Sequence, residues 1–167
     1  MRVDDGYVTR PEELRLLPGA SEAVAALTAA GCRTVLVTNQ RGIARGLMDR
    51  ADLLAVHERL REVLAAEGGR IDAIAVCPHE QGACRCRKPL DGLFREALRR
   101  APWADPARCV MVGDMPGDLE PALGLGMRAE RVGHPGPDVG SVVARILARR
   151  GPCGPGDPAS ARSRPLR

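Results

Sequence analysis

Cys77, His79, Cys84 and Cys86 put three thiols and one imidazole within ten residues. Three soft thiolates and a borderline nitrogen at this spacing suit tetrahedral Zn²⁺. Pro78, Gly82 and Pro89 make the stretch a loop and not a packed apolar segment. Four protein ligands leave no open coordination position, so the expected role of the zinc is structural. The loop ends in Arg87-Lys88-Pro89. The chain has 25 Lys+Arg, and Lys88 is its only lysine. A chain that otherwise writes arginine keeps a compact ammonium here in place of a planar fork. The expectation is that the metal loop holds Arg87 and Lys88 where an anionic group binds.

Two other stretches carry chemistry. Thr38 follows the apolar run Arg33–Val37 directly, which puts its hydroxyl at a strand end, and the next residue, Asn39, is the only asparagine. Gly113-Asp114-Met115-Pro116-Gly117-Asp118 places two carboxylates four apart at a strand-to-helix turn. Asp114 suits a hard Mg²⁺, which takes one or two carboxylates plus substrate phosphate. Asp118 has two open readings, a partner in that shell or an N-cap of the following helix. Cys32 and Cys109 read as small core residues. His57 and His134 are assigned no role.

The elements that must position these residues alternate. The pattern predicts a helix from a Ser21 cap to Ala30 and a strand over 33–37. A long helix follows from Asp49 to about Glu67, with Leu53, Val56, Leu60, Val63 and Leu64 at helical spacing. Ile71–Val76 is the next strand, Gly92–Arg100 a helix, Arg108–Val112 a strand and Asp118–Leu125 a short helix. Arg128–Val132 and Val139–Arg150 close the series as strand and helix. This is an α/β chain with a Rossmann-like parallel sheet and helices on both faces, and ligands belong at the carboxyl ends of its strands. The first strand of the series has no sequence to make it.

The length of 167 residues suits one domain, assigned to 1–150. Residues 151–167, rich in Pro, Gly, Ser and Arg, are expected to be a disordered tail. The net charge of +4 sits in residues 149–167. Arg149, Arg150, Arg162, Arg164 and Arg167 face only Asp157, and the remaining residues balance at zero. A neutral folded part with 2% aromatics argues against nucleic acid. The absence of a 20-residue apolar run argues against a membrane span. The thiol cluster points to the reducing cytoplasm.

Together these features resemble the haloacid dehalogenase (HAD) superfamily: threonine after one strand, lysine before proline, and Gly-Asp-x-x-x-Asp after a later strand. Four segments narrow the resemblance. They are Asp4-Asp5-Gly6-Tyr7-Val8, Leu17-Pro18-Gly19, Val37-Thr38-Asn39-Gln40 with Gly42-Ile43-Ala44-Arg45-Gly46, and Cys77–Pro89. They are similar to the D-glycero-D-manno-heptose 1,7-bisphosphate phosphatases, with histidinol-phosphate phosphatases as close relatives. The resemblance implies a Mg²⁺-dependent phosphatase of a small phosphorylated sugar, working as a monomer through an aspartyl-phosphate. It implies that Thr38 hydrogen-bonds the phosphoryl oxygens, Lys88 balances their charge, Asp114 ligates Mg²⁺ and Asp118 orients the metal shell. Asp4, Asp5, Gly6, Tyr7, Asn39, Gln40, Arg41 and Arg87 would face the substrate.

One departure is large. The family's first motif, an apolar strand ending in Asp-x-Asp-Gly, should lie just before Val3 and is not present. The nucleophile and the general acid belong to it, and so does the strand at the centre of the sheet. The expectation is that Met1 is an internal codon of a longer natural protein, since a parallel sheet without its middle strand exposes edges. The alternatives are a degraded gene and a non-catalytic, zinc-stabilised domain that binds phosphorylated ligands.

Overall fold

A computed structural model describes residues 7–133 and 135–149. The expectations placed on Asp4, Asp5, Gly6 and the 151–167 tail lie outside the described residues.

The first helix, α1 (Ala20–Ala29), is capped by Gly19 and not by Ser21. The Pro18-Gly19 turn starts it two residues early, and the Ser21 hydroxyl donates to the Glu22 carboxylate instead. Strand β1 (Val35–Asn39) and helix α2 (Arg50–Ala66) follow. Asp49, the expected start of the helix, lies just outside α2 as its cap. Its carboxylate accepts from Asp52 N–H at 2.9 Å, and the Asp52 carboxylate accepts from Asp49 N–H at 2.8 Å, so two otherwise orphaned donors are satisfied reciprocally. Val56, Leu60 and Leu64 recur at one face of α2 and bury against Val8 and Leu14, with Val24, Leu36 and Ile71 packed around them. With so few aromatic rings, these branched aliphatics make the core.

Strand β2 (Ala73–Cys77) runs parallel to β1, Val35 opposite Ala73 and Asn39 opposite Cys77. Cys77 is therefore the last, fully buried residue of a strand and not a loop residue. Strands β3 (Val110–Gly113) and β4 (Arg128–Arg131) form a second parallel pair. Among the described residues no ladder joins the two pairs. This is the parallel α/β order expected, with its two halves apart. Thr34 C=O accepts from Asp72 N–H, and Gln40 N–H donates to Cys77 C=O. Even-numbered peptide groups of β1 therefore face β2, and those of Val35, Val37 and Asn39 face the outer edge.

Helix α3 (Gly92–Arg100) packs on β2 and β1, and α4 (Pro116–Gly124) on β3 and β4. Helix α5 (Val139–Ala148) packs against α1, which ties the two halves together. Helix α4 begins at Pro116, so Asp118 does not cap it from outside. It sits in the first turn, and its Oδ2 accepts from Met115 N–H at 3.2 Å. Proline at the first helical position accounts for the early start, because its fixed φ suits the turn and it lacks only an N–H that would be orphaned there.

Candidate active site

The four metal-ligand candidates converge. Cys77 Sγ lies 3.5 Å from Cys84 Sγ and 3.7 Å from His79 Nδ1, and Cys86 Sγ lies 3.3 Å from Cys84 Sγ and 3.4 Å from His79 Nδ1. All four donor atoms lie within 4.8 Å of one another. A tetrahedron around Zn²⁺ with Zn–S of about 2.3 Å and Zn–N of about 2.0 Å has donor–donor edges of about 3.5–3.8 Å. The donor set fits the ion. Burial opposes ionisation of Cys84, yet hydrogen bonds from Cys86, the Arg87 amide and Cys77 bring its thiol down to about 6. Cys86 is pushed up to about 12 by burial and by the neighbouring thiols. One thiolate forms readily, and a second next to it needs a cation between them.

Helix α3 limits the shape of this loop. A Cβ on Gly92 would collide with the Arg85 carbonyl oxygen and come within 2.7 Å of Cys86 Cα. On the other side, Glu80 pairs with Arg41 Nε, and its second oxygen lies 3.5 Å from Arg45 Nε. The Gln81 amide first, then Arg41 and Arg45, hold the Glu80 carboxyl below the usual range against the opposing effect of burial. The loop after β1 is thus tied to the metal loop. Tyr7 lies on the same loop, its ring 3.4 Å from where a Cβ on Gly42 would sit.

Lys88 leaves the metal loop and turns back to the strands. Its Nζ donates to Val37 C=O at 2.8 Å, on the outer edge of β1, and lies 2.7 Å from Asp118 Oδ1 on α4. The two charged side chains are only 12% and 13% exposed. One ammonium therefore links the two halves of the fold at the strand ends. Asp118 reaches it because residue 113 is glycine: a Cβ there would sit 2.5 Å from Asp118 Cβ. Asp114, one residue beyond β3, is exposed. Gly133, in the turn after β4, comes within 3.7 Å of Asp114 Cβ when a Cβ is built on it.

The remaining candidates divide. Thr38 is half-buried near the end of β1, and its Oγ1 accepts from Gln40 Nε2 at 3.3 Å. Gln40 itself is buried. Asn39 spends its carboxamide on Lys88: Nδ2 donates to Lys88 C=O at 3.0 Å, and Oδ1 accepts from Lys88 N–H at 3.1 Å. Arg87 extends over the metal loop, with its Nη1 3.4 Å from His79 C=O. Sequence reasoning missed both the Asn39–Lys88 pairing and the Glu80 link. The available signals were that Asn39 is the only asparagine and that Glu80 is the only acid between residues 77 and 89.

The chain is similar to known proteins in sequence and in fold. A model of haloacid dehalogenase-like hydrolases matches residues 2–126. The chain belongs to this family. This HAD-like hydrolase is 46% identical over 123 residues to D-glycero-beta-D-manno-heptose-1,7-bisphosphate 7-phosphatase of Bordetella bronchiseptica, covering 73% of this chain and 68% of that protein. It is 42% identical over 115 residues to D-glycero-alpha-D-manno-heptose-1,7-bisphosphate 7-phosphatase of Mycobacterium bovis, covering 68% of this chain and 60% of that one. Its fold is similar to the crystal structure of D,D-heptose 1,7-bisphosphate phosphatase from B. bronchiseptica complexed with magnesium and phosphate. The TM-score is 0.80 at 36% identity, over 89% of this chain and 92% of that chain. A HAD-like phosphatase structure from Mesorhizobium loti has a TM-score of 0.75 at 31% identity, over 87% of this chain and 78% of that one. No helix among the described residues is long and apolar enough to cross a membrane.

Proposed function

We propose that the site of this HAD-like hydrolase is built for D-glycero-D-manno-heptose 1,7-bisphosphate and that these 167 residues recognise its 7-phosphate, with Mg²⁺ in the site and Zn²⁺ in the loop. The observation that carries the reading is the largely desolvated Lys88 ammonium at the strand ends, bound to Val37 C=O and Asp118 Oδ1 and following directly on the metal loop. A point charge there offsets a phosphoryl group without the bulk of a guanidinium. Thr38 supplies a hydroxyl to phosphoryl oxygens, and Gln40 orients that hydroxyl. Arg41 and Arg87 face the remainder of the substrate.

Asp114 offers the exposed carboxylate a hard cation needs, while both oxygens of Asp118 already have partners. Mg²⁺ held at Asp114, with Asp118 ordering the groups around it, would neutralise charge on the transferring phosphoryl group. Cys77, His79, Cys84 and Cys86 hold Zn²⁺ and fix the loop in a reducing, cytoplasmic setting. Displacement at phosphorus by this route needs a carboxylate nucleophile, and the 167 residues contain no Asp-x-Asp pair. Recognition of the phosphate is assigned to them; turnover is not.

Calorimetric titration with heptose 1,7-bisphosphate and with histidinol phosphate, each in Mg²⁺, tests the reading. The heptose bisphosphate is expected to bind more tightly, and Lys88→Ala to weaken it at least about tenfold, as for loss of a charged hydrogen-bond donor. Tighter histidinol-phosphate binding, or unchanged affinity in Lys88→Ala, contradicts it.

A further inference from the structure

We propose that Asn39 is a positioning residue for Lys88 and does not itself bind substrate, an inference that rests on the phosphate-binding role given to Lys88. Asn39 ends β1, and its carboxamide makes a two-bond pairing with the Lys88 peptide, 49 residues away in sequence. The ammonium of the same lysine is bound by Val37 C=O, two residues back on the same strand. Two strand residues span about 6.6 Å, close to the reach of an extended lysine. The lysine side chain therefore lies along the outer edge of β1, held at its peptide by Asn39 and at its ammonium by Val37.

Each end depends on the other. Without the Asn39 carboxamide, the Lys88 peptide loses both of these bonds to β1, and Nζ keeps only an ion pair and one carbonyl, which any rotation of the peptide would disturb. A substrate-binding asparagine would be expected to turn its carboxamide toward the ligand. This one spends both atom types on the backbone of the residue that carries the charge.

The single lysine provides the test. Protein labelled with ¹³Cε,¹⁵Nζ-lysine gives one side-chain signal from the whole chain. In Asn39→Ala that signal is expected to move toward the free-lysine position. In Asn39→Asp, which keeps an acceptor for Lys88 N–H but loses the donor to Lys88 C=O, it should move part of the way; this variant also serves if the alanine variant does not fold. Titration with inorganic phosphate and Mg²⁺ on the same samples should show about tenfold weaker binding for Asn39→Ala, the scale of two lost hydrogen bonds. Asn39→Ala should add nothing in a Lys88→Ala background. An unmoved lysine signal in both variants, or losses at Asn39 and Lys88 that multiply, overturns the proposal. A displaced lysine with unchanged phosphate affinity supports the positioning and contradicts the phosphate role of Lys88.

Discussion

The ion pair between Lys88 and Asp118 is nearly out of water, so removing one partner leaves the other charge poorly solvated. Lys88→Met is expected to cost about 2 kcal/mol of stability, and Asp118→Asn a similar amount. The double variant should cost less than the sum, since neither charge is then stranded. Urea unfolding of the four proteins checks this, and additive losses would mean the pair is not coupled. A second prediction concerns Gly92, where a methyl group has no room against Arg85 and Cys86. Gly92→Ala should lower bound zinc well below one per chain, measured by elemental analysis. Gly117→Ala, whose Cβ would only touch Pro89 at 3.4 Å, should retain it. At this scale the sequence was informative where chemistry is local. Residue types and spacing alone mark Cys77, His79, Cys84 and Cys86 as one candidate metal site, and their donor atoms do converge. The Asn39–Lys88 pairing spans 49 residues and leaves no local pattern, so only the fold could reveal it.

Helix α2 shows both the strength and the limit of reading periodicity. Its cap, its length and its apolar face followed from Asp49 and from Leu53, Val56, Leu60 and Leu64. The same face carries His57, which is 4% exposed, and its Nε2 has no hydrogen-bond partner among the described residues. Burial first, then Arg61, pushes the His57 imidazole below its ordinary 6.5, and Glu58 opposes them weakly. The unfolded chain therefore takes up a proton as pH falls through 6.5 while the folded one resists, so stability declines on acidification from that point. His57→Leu should flatten stability against pH between about 7 and 5, read from urea midpoints at several pH values. An unchanged slope would place the acid sensitivity elsewhere. Strand ends were less legible than helices. Cys77 lies in β2 because its partner Asn39 extends the ladder, and Asp118 sits inside α4 because Pro116 starts that helix; both are pairing or backbone effects that hydrophobic patterning does not report.

At the scale of the molecule, the packing of α1 on α5 and the Lys88–Asp118 ion pair both join the two parallel strand pairs. The parallel α/β order was readable from alternating patterns, but the separation of the pairs depends on which strands meet. The metal loop supports the lysine end of this arrangement through Glu80 and the residues that follow Cys86. Zinc removal by a chelator should therefore lower Tm by at least about 5 °C and weaken phosphate binding in parallel. Loss of stability without loss of phosphate affinity would uncouple the loop from the site. The most direct test of the whole account is a ³¹P NMR spectrum of heptose 1,7-bisphosphate mixed with the chain, Zn²⁺-loaded and in Mg²⁺. The 7-phosphate signal should shift and broaden while no inorganic phosphate accumulates, because the proposed site would hold the group and the 167 residues contain no Asp-x-Asp pair to attack it. A growing inorganic phosphate signal, or a 7-phosphate signal that does not change, would contradict it.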